Sequence, residues 1–271
     1  AIRDALAQRT SLARDLRTAV ENNELRDYYQ PIVCMRSGKI VKAETLMRWQ
    51  HPLRGLISPL LFIPVAEETG EIIRMGDWIF KQAVQNVVKW QALMGDEFAI
   101  SVNKSPMQFI EPAAMSYDWV EHLQTIGVDG KRIVVEITEG LLLNPDPIVE
   151  QRLLHFRDKG IQVAIDDFGT GYSSLSYLSK FDIDYLKIDQ SFTRNLSEGN
   201  ESYVLCEAII VMAHKLGLKV IAEGVETAMQ RDLLRDIHCD YAQGFFYSPP
   251  IPAEEFEQLL IAESTYATQK N

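Results

Sequence analysis

The sequence lacks any hydrophobic stretch that could cross a membrane. No run approaches the roughly 20 apolar residues that a transmembrane helix needs, and no signal-peptide pattern opens the chain. Cysteine is also rare, because Cys34, Cys206 and Cys239 are the only three, and they form no Cys-x-x-Cys spacing. These absences predict a cytoplasmic domain with reduced thiols and no direct membrane contact.

The sequence also has fewer basic than acidic residues. The 27 lysines and arginines face 38 acidic residues, which gives a net charge of -11, and no basic run interrupts the sequence. Proteins that bind a nucleic-acid polymer neutralise its phosphates with lysine and arginine, so this composition argues against such a partner. A phosphate ester as ligand would require bound cations to overcome the negative field of the protein.

Several catalytic motifs are missing as well. The five histidines show no His-Glu-x-x-His spacing, and no Gly-x-Ser-x-Gly motif is present. Asp167-Phe168-Gly169 matches the magnesium loop of protein kinases, but the glycine-rich and His-Arg-Asp loops of kinases do not accompany it. A zinc protease, a serine hydrolase and a kinase are therefore set aside.

The length favours one domain with a preceding helix. With 271 residues and 46% hydrophobic content, the chain can form one core of the size of a (β/α)8 barrel. Residues 1–22 carry apolar residues at helical spacing and predict an amphipathic linker helix that leads into a domain over 23–271. The chain starts inside this pattern without a methionine, which suggests a piece of a longer protein, with a sensor or cyclase domain upstream.

The strand and helix patterns predict the fold class. Strands at 27–35 and 40–49 are joined by Ser37-Gly38, a link so short that they must be antiparallel. Helices follow at 59–69 and 72–93. Further strands are expected at 98–103, 132–138, 161–165, 185–189, 219–222 and 240–243, and helices at 115–126, 147–159, 173–178, 201–216, 227–235 and 253–262. This order predicts an α/β fold, a modified TIM (β/α)8 barrel with one strand antiparallel to the others.

Residues 161–175, IQVAIDDFGTGYSSL, combine a buried strand with two adjacent acids. Asp166 and Asp167 end the apolar run, and glycines follow at once. Neighbouring carboxylates resist ionising together unless a cation lies between them. Asp-Asp before glycine is also ordinary turn chemistry. This segment alone leaves a metal site and a plain turn both open.

Polar residues recur where other strands end. They are Gln30, Glu44, Arg48, Asn103, Glu136, Glu139, Lys187, Asp189, Glu223, Glu226 and Gln243. Each residue alone could be an ordinary surface group or helix cap. The carboxyl ends of barrel strands meet at one mouth, however, so these residues are expected to lie close together. Oxygen ligands without histidine or cysteine suit Mg²⁺ or Mn²⁺, and a carboxylate-bridged pair of such ions assists attack of water on a phosphodiester. Asp166 is the natural bridge, and Lys187 a further positive charge for the transition state.

Eight motifs in order resemble the EAL-domain family, from about Leu16 to Leu260. They are Tyr29-Gln30-Pro31-Ile32, Glu44-Thr45-Leu46 with Arg48-Trp49, Val102-Asn103, Glu136-Ile137-Thr138-Glu139, Asp166 to Leu175, Lys187-Ile188-Asp189, Ala222-Glu223-Gly224-Val225-Glu226, and Asp240-Tyr241-Ala242-Gln243-Gly244. Members of that family are bacterial phosphodiesterases that open cyclic di-GMP to linear pGpG. The resemblance implies the same activity here, with a homodimer.

The resemblance also implies roles for individual residues. Glu44, Asn103, Glu136 and Asp166 would bind one ion. Asp166 and Asp167 would bind a second, with Glu223 as a ligand or as the base that orients the water. Lys187 would contact that water, supported by Glu226, while Glu139 would anchor the loop 168–174. The substrate contacts implied are Gln30, Leu46, Arg48, Asp189 and Gln243, with Arg48 on a phosphate.

Three positions depart from the family pattern. Thr45 replaces the usual alanine, Pro249 stands where arginine is common, and Cys34 replaces a frequent aspartate. None removes a metal ligand or the lysine, so an active hydrolase is expected. A cyclic di-GMP receptor without turnover, and a barrel enzyme that acts on another phosphate ester, remain as alternatives.

Overall fold

The computed structural model describes residues 2–110, 117–143, 146–169, 178 and 181–269. Its strands are β1 (Leu25–Cys34), β2 (Ile40–His51), β3 (Gly55–Ile57), β4 (Ala99–Asn103), β5 (Ile133–Thr138), β6 (Gln162–Phe168), β7 (Tyr185–Ile188), β8 (Lys219–Ala222), β9 (Tyr241–Ala242) and β10 (Ile251–Pro252). Its helices are α1 (Ile2–Leu16), α2 (Pro59–Thr69), α3 (Glu71–Met94), α4 (Met107–Ile110), α5 (Trp119–Ile126), α6 (Gly140–Leu143), α7 (Pro147–Asp158), α8 (Gln190–Arg194), α9 (Glu201–Lys215), α10 (Ala228–Asp236) and α11 (Ala253–Gln269).

The strands close into a barrel in which β1 alone is reversed. Strands β2, β4, β5, β6, β7, β8 and β9 follow one another in parallel, and β1 pairs antiparallel with both β2 and β9. The predicted modified TIM barrel is therefore confirmed. The short strands β3 and β10, which were not predicted, pair with β2 and β1 outside the barrel order.

The strand register aligns the polar residues predicted at the barrel mouth. Asn103 pairs with Glu136 across β4 and β5, and Thr138 pairs with Asp166 across β5 and β6. Strand β6 then shifts its register on β7 after Ile165. The shift coincides with the two acids, and it re-aims the side chains that follow, as β-bulges do beside functional sites.

Apolar side chains fill the barrel below this mouth. Its inner cluster takes one residue from each of six strands: Ile32, Ala99, Val134, Ala164, Tyr185 and Ile221. A larger cluster lies between the strands and the surrounding helices. This apolar layer lies below the polar residues of the predicted site, which are at the carboxyl ends of the parallel strands.

The N-terminal helix packs against the barrel domain. Leu12, Leu16 and Ala19 are buried in one cluster with Phe62 of α2 and Trp49 of β2. Helix α1 ends at Leu16, short of the predicted residue 22, and turns lead into β1. The position of α1 on the domain therefore depends on its contacts with α2.

Most other predicted elements are present. Helix α2 begins at Pro59 and ends before Gly70, which adopts φ 77°, as its proline and glycine signals predicted. Helix α5 begins at Trp119 behind the cap Asp118, later than the predicted start at residue 115. The start of that prediction, residues 115 and 116, and nearly all of the predicted helix 173–178 lie outside the described residues. None of the helices described combines the length and apolar character needed to span a membrane.

Candidate active site

Lys187 lies at the centre of four carboxylates at the barrel mouth. Its Nζ is 2.6 Å from Glu136, 2.7 Å from Glu223, 3.1 Å from Asp166 and 3.3 Å from Glu44. These acids come from β2, β5, β6 and the segment after β8, so the barrel closure is what brings them together. Lys187 and Glu136 are fully buried, while Asp166 and Glu223 keep part of their surface in contact with solvent.

A second group of carboxylates overlaps the first. Oxygens of Asp166, Asp167 and Glu223 all lie within 4.8 Å of one another, close enough for one metal ion to contact all three. Asp167 adopts φ 55°, and its backbone N–H donates to Asp166 Oδ1 at 3.0 Å. This left-handed turn places two consecutive acids in one cluster instead of on opposite faces of the strand.

Amide side chains hold Glu44 in place. Asn103 Nδ2 donates to Glu44 Oε1 at 2.8 Å, and Gln243 Nε2 donates to Glu44 Oε2 at 2.7 Å. Gln243 also donates to Gln30 Oε1 at 2.9 Å, and Gln30 donates to the Ser248 carbonyl at 3.0 Å. The reversed strand β1 thus reaches the site through Gln30.

Burial and charge move the pKa values of these groups apart. Burial raises the pKa of Glu44, but the charge of Lys187 and the amide hydrogen bonds outweigh it and leave the pKa lowered. Burial and the neighbouring Glu44 hold the pKa of Glu136 well above its usual range. Burial also raises the pKa of Glu223 to about 8 against the attraction of Lys187. The four carboxylates overcome the burial of Lys187 and raise its pKa well above normal.

The donor set fits hard divalent cations. Five carboxylates, of Glu44, Glu136, Asp166, Asp167 and Glu223, face a single ammonium group, so the fully ionised cluster has an excess of four negative charges. Glu136 Oε1 is buried and receives no hydrogen bond from the residues that the structure describes. Oxygen ligands suit Mg²⁺ or Mn²⁺ better than zinc, and two divalent ions would balance this excess.

Other predicted residues surround the cluster. Glu139 Oε2 accepts the Gly169 N–H at 3.2 Å, at the end of β6. Asp189 caps α8 through the Ser191 N–H at 2.9 Å. After burial and Asp166, the charge of Asp189 is a further cause that raises the pKa of Asp167.

Arg48 and Leu46 border a cavity beside the cluster. The cavity has a volume of about 270 Å³ and is lined by Asn103 and Glu136 from the cluster and by apolar residues of α2 and α3. Arg48 Nη1 donates to the Met47 carbonyl at 2.9 Å, and its guanidinium lies 5.4 Å from the Tyr28 ring centroid. The cavity therefore connects an apolar wall with the carboxylates.

Glu226 stands apart from these residues. Its side chain is exposed, and the ion pairs that the described structure gives Lys187 are with the other four acids. Its backbone N–H donates to Gln230 Oε1 at 2.7 Å. The structure thus places Glu226 outside the group around Lys187.

Sequence reasoning missed two supports of the site. Thr193 Oγ1 donates to the Glu223 carbonyl, and Gln230 Nε2 donates to the Thr193 carbonyl at 3.0 Å. Ser105 Oγ donates to Glu67 Oε1 at 2.8 Å in the wall of the cavity. Only Gln230 had a local signal, because Thr227-x-x-Gln230 matches a capping box, and the structure contains that box.

Solved structures of similar fold include two with cyclic di-GMP. The EAL enzyme Bd1971, in a form bound to cAMP and cyclic di-GMP, aligns with a TM-score of 0.88 and 31% identity over 94% of this chain and 69% of its own. The PaMucR phosphodiesterase, in complex with c-di-GMP, aligns with a TM-score of 0.84 and 35% identity over 91% of this chain and 99% of its own.

Curated relatives match along nearly the whole chain. The oxygen sensor protein DosP of Escherichia coli is 37% identical over 94% of this chain, and the cyclic di-GMP phosphodiesterase NbdA of Pseudomonas aeruginosa is 36% identical over 94%. The chain covers 32% of each of these relatives. The EAL domain model matches residues 13–250. The predicted resemblance is confirmed, and the chain belongs to the EAL domain family.

Proposed function

We propose that this domain hydrolyses cyclic di-GMP to linear pGpG with two divalent cations and so terminates a second-messenger signal. The observation that carries the proposal is the complete set of carboxylates around Lys187 at the barrel mouth. The phosphodiesterase name of NbdA and the c-di-GMP complex of PaMucR support it.

Two overlapping ligand groups would hold the cations. Glu44, Asn103, Glu136 and Asp166 would hold one, and Asp166 with Asp167 the other, with Glu223 as a ligand or as the base. Bound Mg²⁺ or Mn²⁺ would lower the pKa of a water ligand and neutralise charge on the phosphoryl oxygens. Asn103 would have to turn its amide oxygen toward the ion, since its Nδ2 now donates to Glu44.

The protein's own groups would position the water and the ester. Lys187 is held by four carboxylates, so its N–H groups are oriented before substrate arrives, and one of them would have to leave a carboxylate to donate to the attacking water. If Glu223 acts as the base, it accepts the proton of that water. Glu226 remains our proposed supporting acid, to be tested with Glu226→Gln.

The substrate would lie across the cavity and the mouth. Arg48 borders the cavity and would bind a phosphate through its guanidinium, while Leu46 would contact a base. Gln30, Gln243 and Asp189 would contact the rest of the dinucleotide. Glu139 would hold the start of the loop 168–174 by its bond to Gly169.

The direct test is turnover across metals and protein concentrations. Cyclic di-GMP is incubated with the domain and Mg²⁺ or Mn²⁺, and pGpG is measured by chromatography. We expect pGpG, abolished by Glu44→Gln and retained by Glu198→Gln, an exposed glutamate in a surface loop. Absence of pGpG at every concentration rejects the proposal. Binding of cyclic di-GMP without turnover would instead favour a receptor domain. Cleavage of other phosphate esters alone would favour a barrel enzyme with a different phosphate-ester substrate.

Assembly is a separate part of the proposal. We propose a homodimer, as the resemblance implies, and an upstream sensor or cyclase domain in the full-length protein. Sedimentation velocity at increasing concentration, run beside the turnover assay, tests the dimer. A monomer with full specific activity at every concentration would contradict it.

A further inference from the structure

A second cavity lies outside the barrel, where the chain leaves β4. Its volume is about 160 Å³, and the residues that matter in its wall are Lys104, Tyr117, Asp118, Trp119, Arg152 and His155. They come from the end of β4, the start of α5 and one face of α7. Asn103, one residue before Lys104, instead turns to Glu44 at the barrel mouth. Lys104 also lines the cavity beside Arg48, so the two cavities share this residue, but its Nζ lies over the Trp119 ring in the smaller one.

Lys104 is a buried lysine that lies over an aromatic ring. The residue is 8% exposed, and its Nζ lies 3.7 Å from the centroid of the Trp119 ring. Within the described part of the chain it makes no ion pair or side-chain hydrogen bond. Asp77 attracts Lys104 without forming an ion pair with it, and Asp77 Oδ1 accepts a hydrogen bond from Trp119 Nε1 at 2.9 Å. The cation–π contact offsets only part of the cost of burying an ammonium group.

Further donors line the same cavity. Arg152 uses Nη1 to donate to the Gln108 carbonyl at 2.5 Å, which leaves its other N–H groups available. Tyr117 Oη is buried and has no hydrogen-bond partner among the described residues. Among the described residues, the Tyr117 hydroxyl and the Lys104 amino group both lack the acceptor that a buried donor requires.

The acid in the cavity is already engaged. Asp118 Oδ1 accepts the Val120 N–H at 2.8 Å as the cap of α5, and Asp118 Oδ2 lies 3.6 Å from His155 Nε2. Lys104 and Arg152 bring two basic groups to the cavity wall against one acid, within a protein of net charge -11, and burial lowers the pKa of Lys104 to about 7. A bound cation would find no unengaged carboxylate here, whereas an anion would find several donors.

We infer that this cavity binds a small oxyanion of the phosphate class between Lys104, Arg152 and Tyr117. Lysine, arginine and a neutral hydroxyl are the donors that phosphate oxygens accept from. A volume of about 160 Å³ holds one phosphoryl group but not a cyclic dinucleotide. The inference uses none of the residues assigned to the proposed hydrolysis, although Lys104 also lines the cavity proposed for the substrate.

The test is a titration with inorganic phosphate against chloride at equal ionic strength. EDTA is present throughout, so that divalent cations at the barrel mouth cannot recruit the anion. Thermal unfolding and tryptophan fluorescence are followed, because Trp119 lies directly beneath Lys104. We expect a saturable rise in melting temperature and a saturable change in fluorescence.

Substitutions locate the site. Lys104→Met should weaken phosphate binding by about tenfold or more, the effect of losing a charge-assisted hydrogen bond. Without phosphate this variant should be at least as stable as the wild type, because an unpaired buried charge is gone. Lys81→Met is the matched control, since exposed Lys81 lies 4.2 Å over the Tyr117 ring but not in the cavity wall. It should bind phosphate like the wild type.

Tyr117→Phe provides a second test of the site in case Lys104→Met does not fold. It removes one unpaired hydroxyl, so it should preserve the fold and weaken binding severalfold. Equal phosphate affinity in the wild type and in both cavity variants, or no saturable response in the wild type, would overturn the inference. A competition arm with a nucleoside 5′-monophosphate then shows whether the site takes free phosphate or also a phosphate ester.

Discussion

Lys187 Nζ lies 2.6 Å from Glu136 Oε2, and both side chains are fully buried. Removing water from both ions costs more free energy than a single ion pair returns. Three further carboxylates share the same ammonium group, and the other oxygen of Glu136 has no hydrogen-bond partner in the described part of the chain. The pair therefore contributes little net stability. The excess negative charge of the whole carboxylate cluster suits a cation site.

Replacing Lys187 should damage both turnover and stability. Lys187→Met leaves buried carboxylates without a cation, which we expect to lower the free energy of unfolding by about 3–5 kcal/mol in metal-free protein. Pairing with Glu136 would be lost in the same step, and cyclic di-GMP cleavage should disappear. Urea unfolding with EDTA and the pGpG assay measure the two effects.

Lys42→Met is the control for a buried lysine. Lys42 lies 4.5 Å over the Tyr185 ring, and the described structure gives it no ion pair. Its replacement should leave turnover intact and should not reduce stability. Wild-type turnover in Lys187→Met would contradict the role of Lys187.

Divalent cations should stabilise the domain without substrate. A ligand at 100 times its Kd stabilises the folded state by about 2.7 kcal/mol. Mn²⁺ or Mg²⁺ should therefore raise the melting temperature, and EDTA should reverse the rise. Asp166→Asn should abolish most of it, because Asp166 belongs to both carboxylate groups. Asp182→Asn, which alters an exposed pair with Arg157, should respond like the wild type.

Gly224 should matter for the position of Glu223. It adopts φ 65°, and an added Cβ would lie 2.6 Å from Gln190 Cβ. Gly224→Ala adds this clash, of about 1–3 kcal/mol, to the strain of a left-handed alanine. The free energy of unfolding and turnover should both fall, the latter because Glu223 shifts.

Gly199→Ala is the control for Gly224→Ala, because it introduces the backbone strain without the clash. Gly199 has φ 71°, and an added Cβ would meet nothing within 4 Å. Its alanine variant should lose about 1 kcal/mol and keep wild-type turnover. Equal losses of stability and activity in the two variants would contradict the close approach of Gln190.

Asp240 should give the protein part of its acid sensitivity. Burial raises the pKa of Asp240, but hydrogen bonds from Lys219, His214 and the Val220 N–H outweigh it and leave the pKa below 3.8. A lowered folded pKa contributes stability that is present above 3.8 and is lost as pH falls through the folded value.

Asp240→Asn tests that linkage. It should cost about 2 kcal/mol near neutral pH, and the difference from the wild type should shrink below the unfolded pKa. Denaturant unfolding at several pH values measures it. Asp182→Asn, in an exposed ion pair, should change stability by less than about 1 kcal/mol throughout. A difference for Asp240→Asn that does not vary with pH would contradict the assignment.

Elements with local signals were predictable. Helix α2 was predicted from Pro59 and Gly70 and has those bounds. The antiparallel pairing of β1 and β2 followed from the short link between them. Strands β3 and β10 have three and two residues, too few to show an alternating pattern, so their pairing depends on neighbouring backbone.

The candidate site was predictable as a set but not as an arrangement. Four of the predicted acids meet around Lys187, whereas Glu226, chosen from the same motif as Glu223, is exposed. The sequence of a loop motif does not determine which of its side chains point into the site. The contact between Ser105 and Glu67 was not foreseen, since it joins residues 38 positions apart without a shared motif.

The sequence by itself determined the chemistry available, because oxygen ligands, a lysine and no competing histidine motif are properties of composition and order. It also determined the alternation of strands and helices, since hydrophobic period is local. Only the tertiary structure decided that Glu44, Glu136, Asp166 and Glu223 share one ammonium group, because barrel closure joins strands far apart in the chain. It likewise decided that the Nζ of Lys104, one residue from Asn103, lies over Trp119 in a second cavity, because successive side chains at a strand end point to opposite sides.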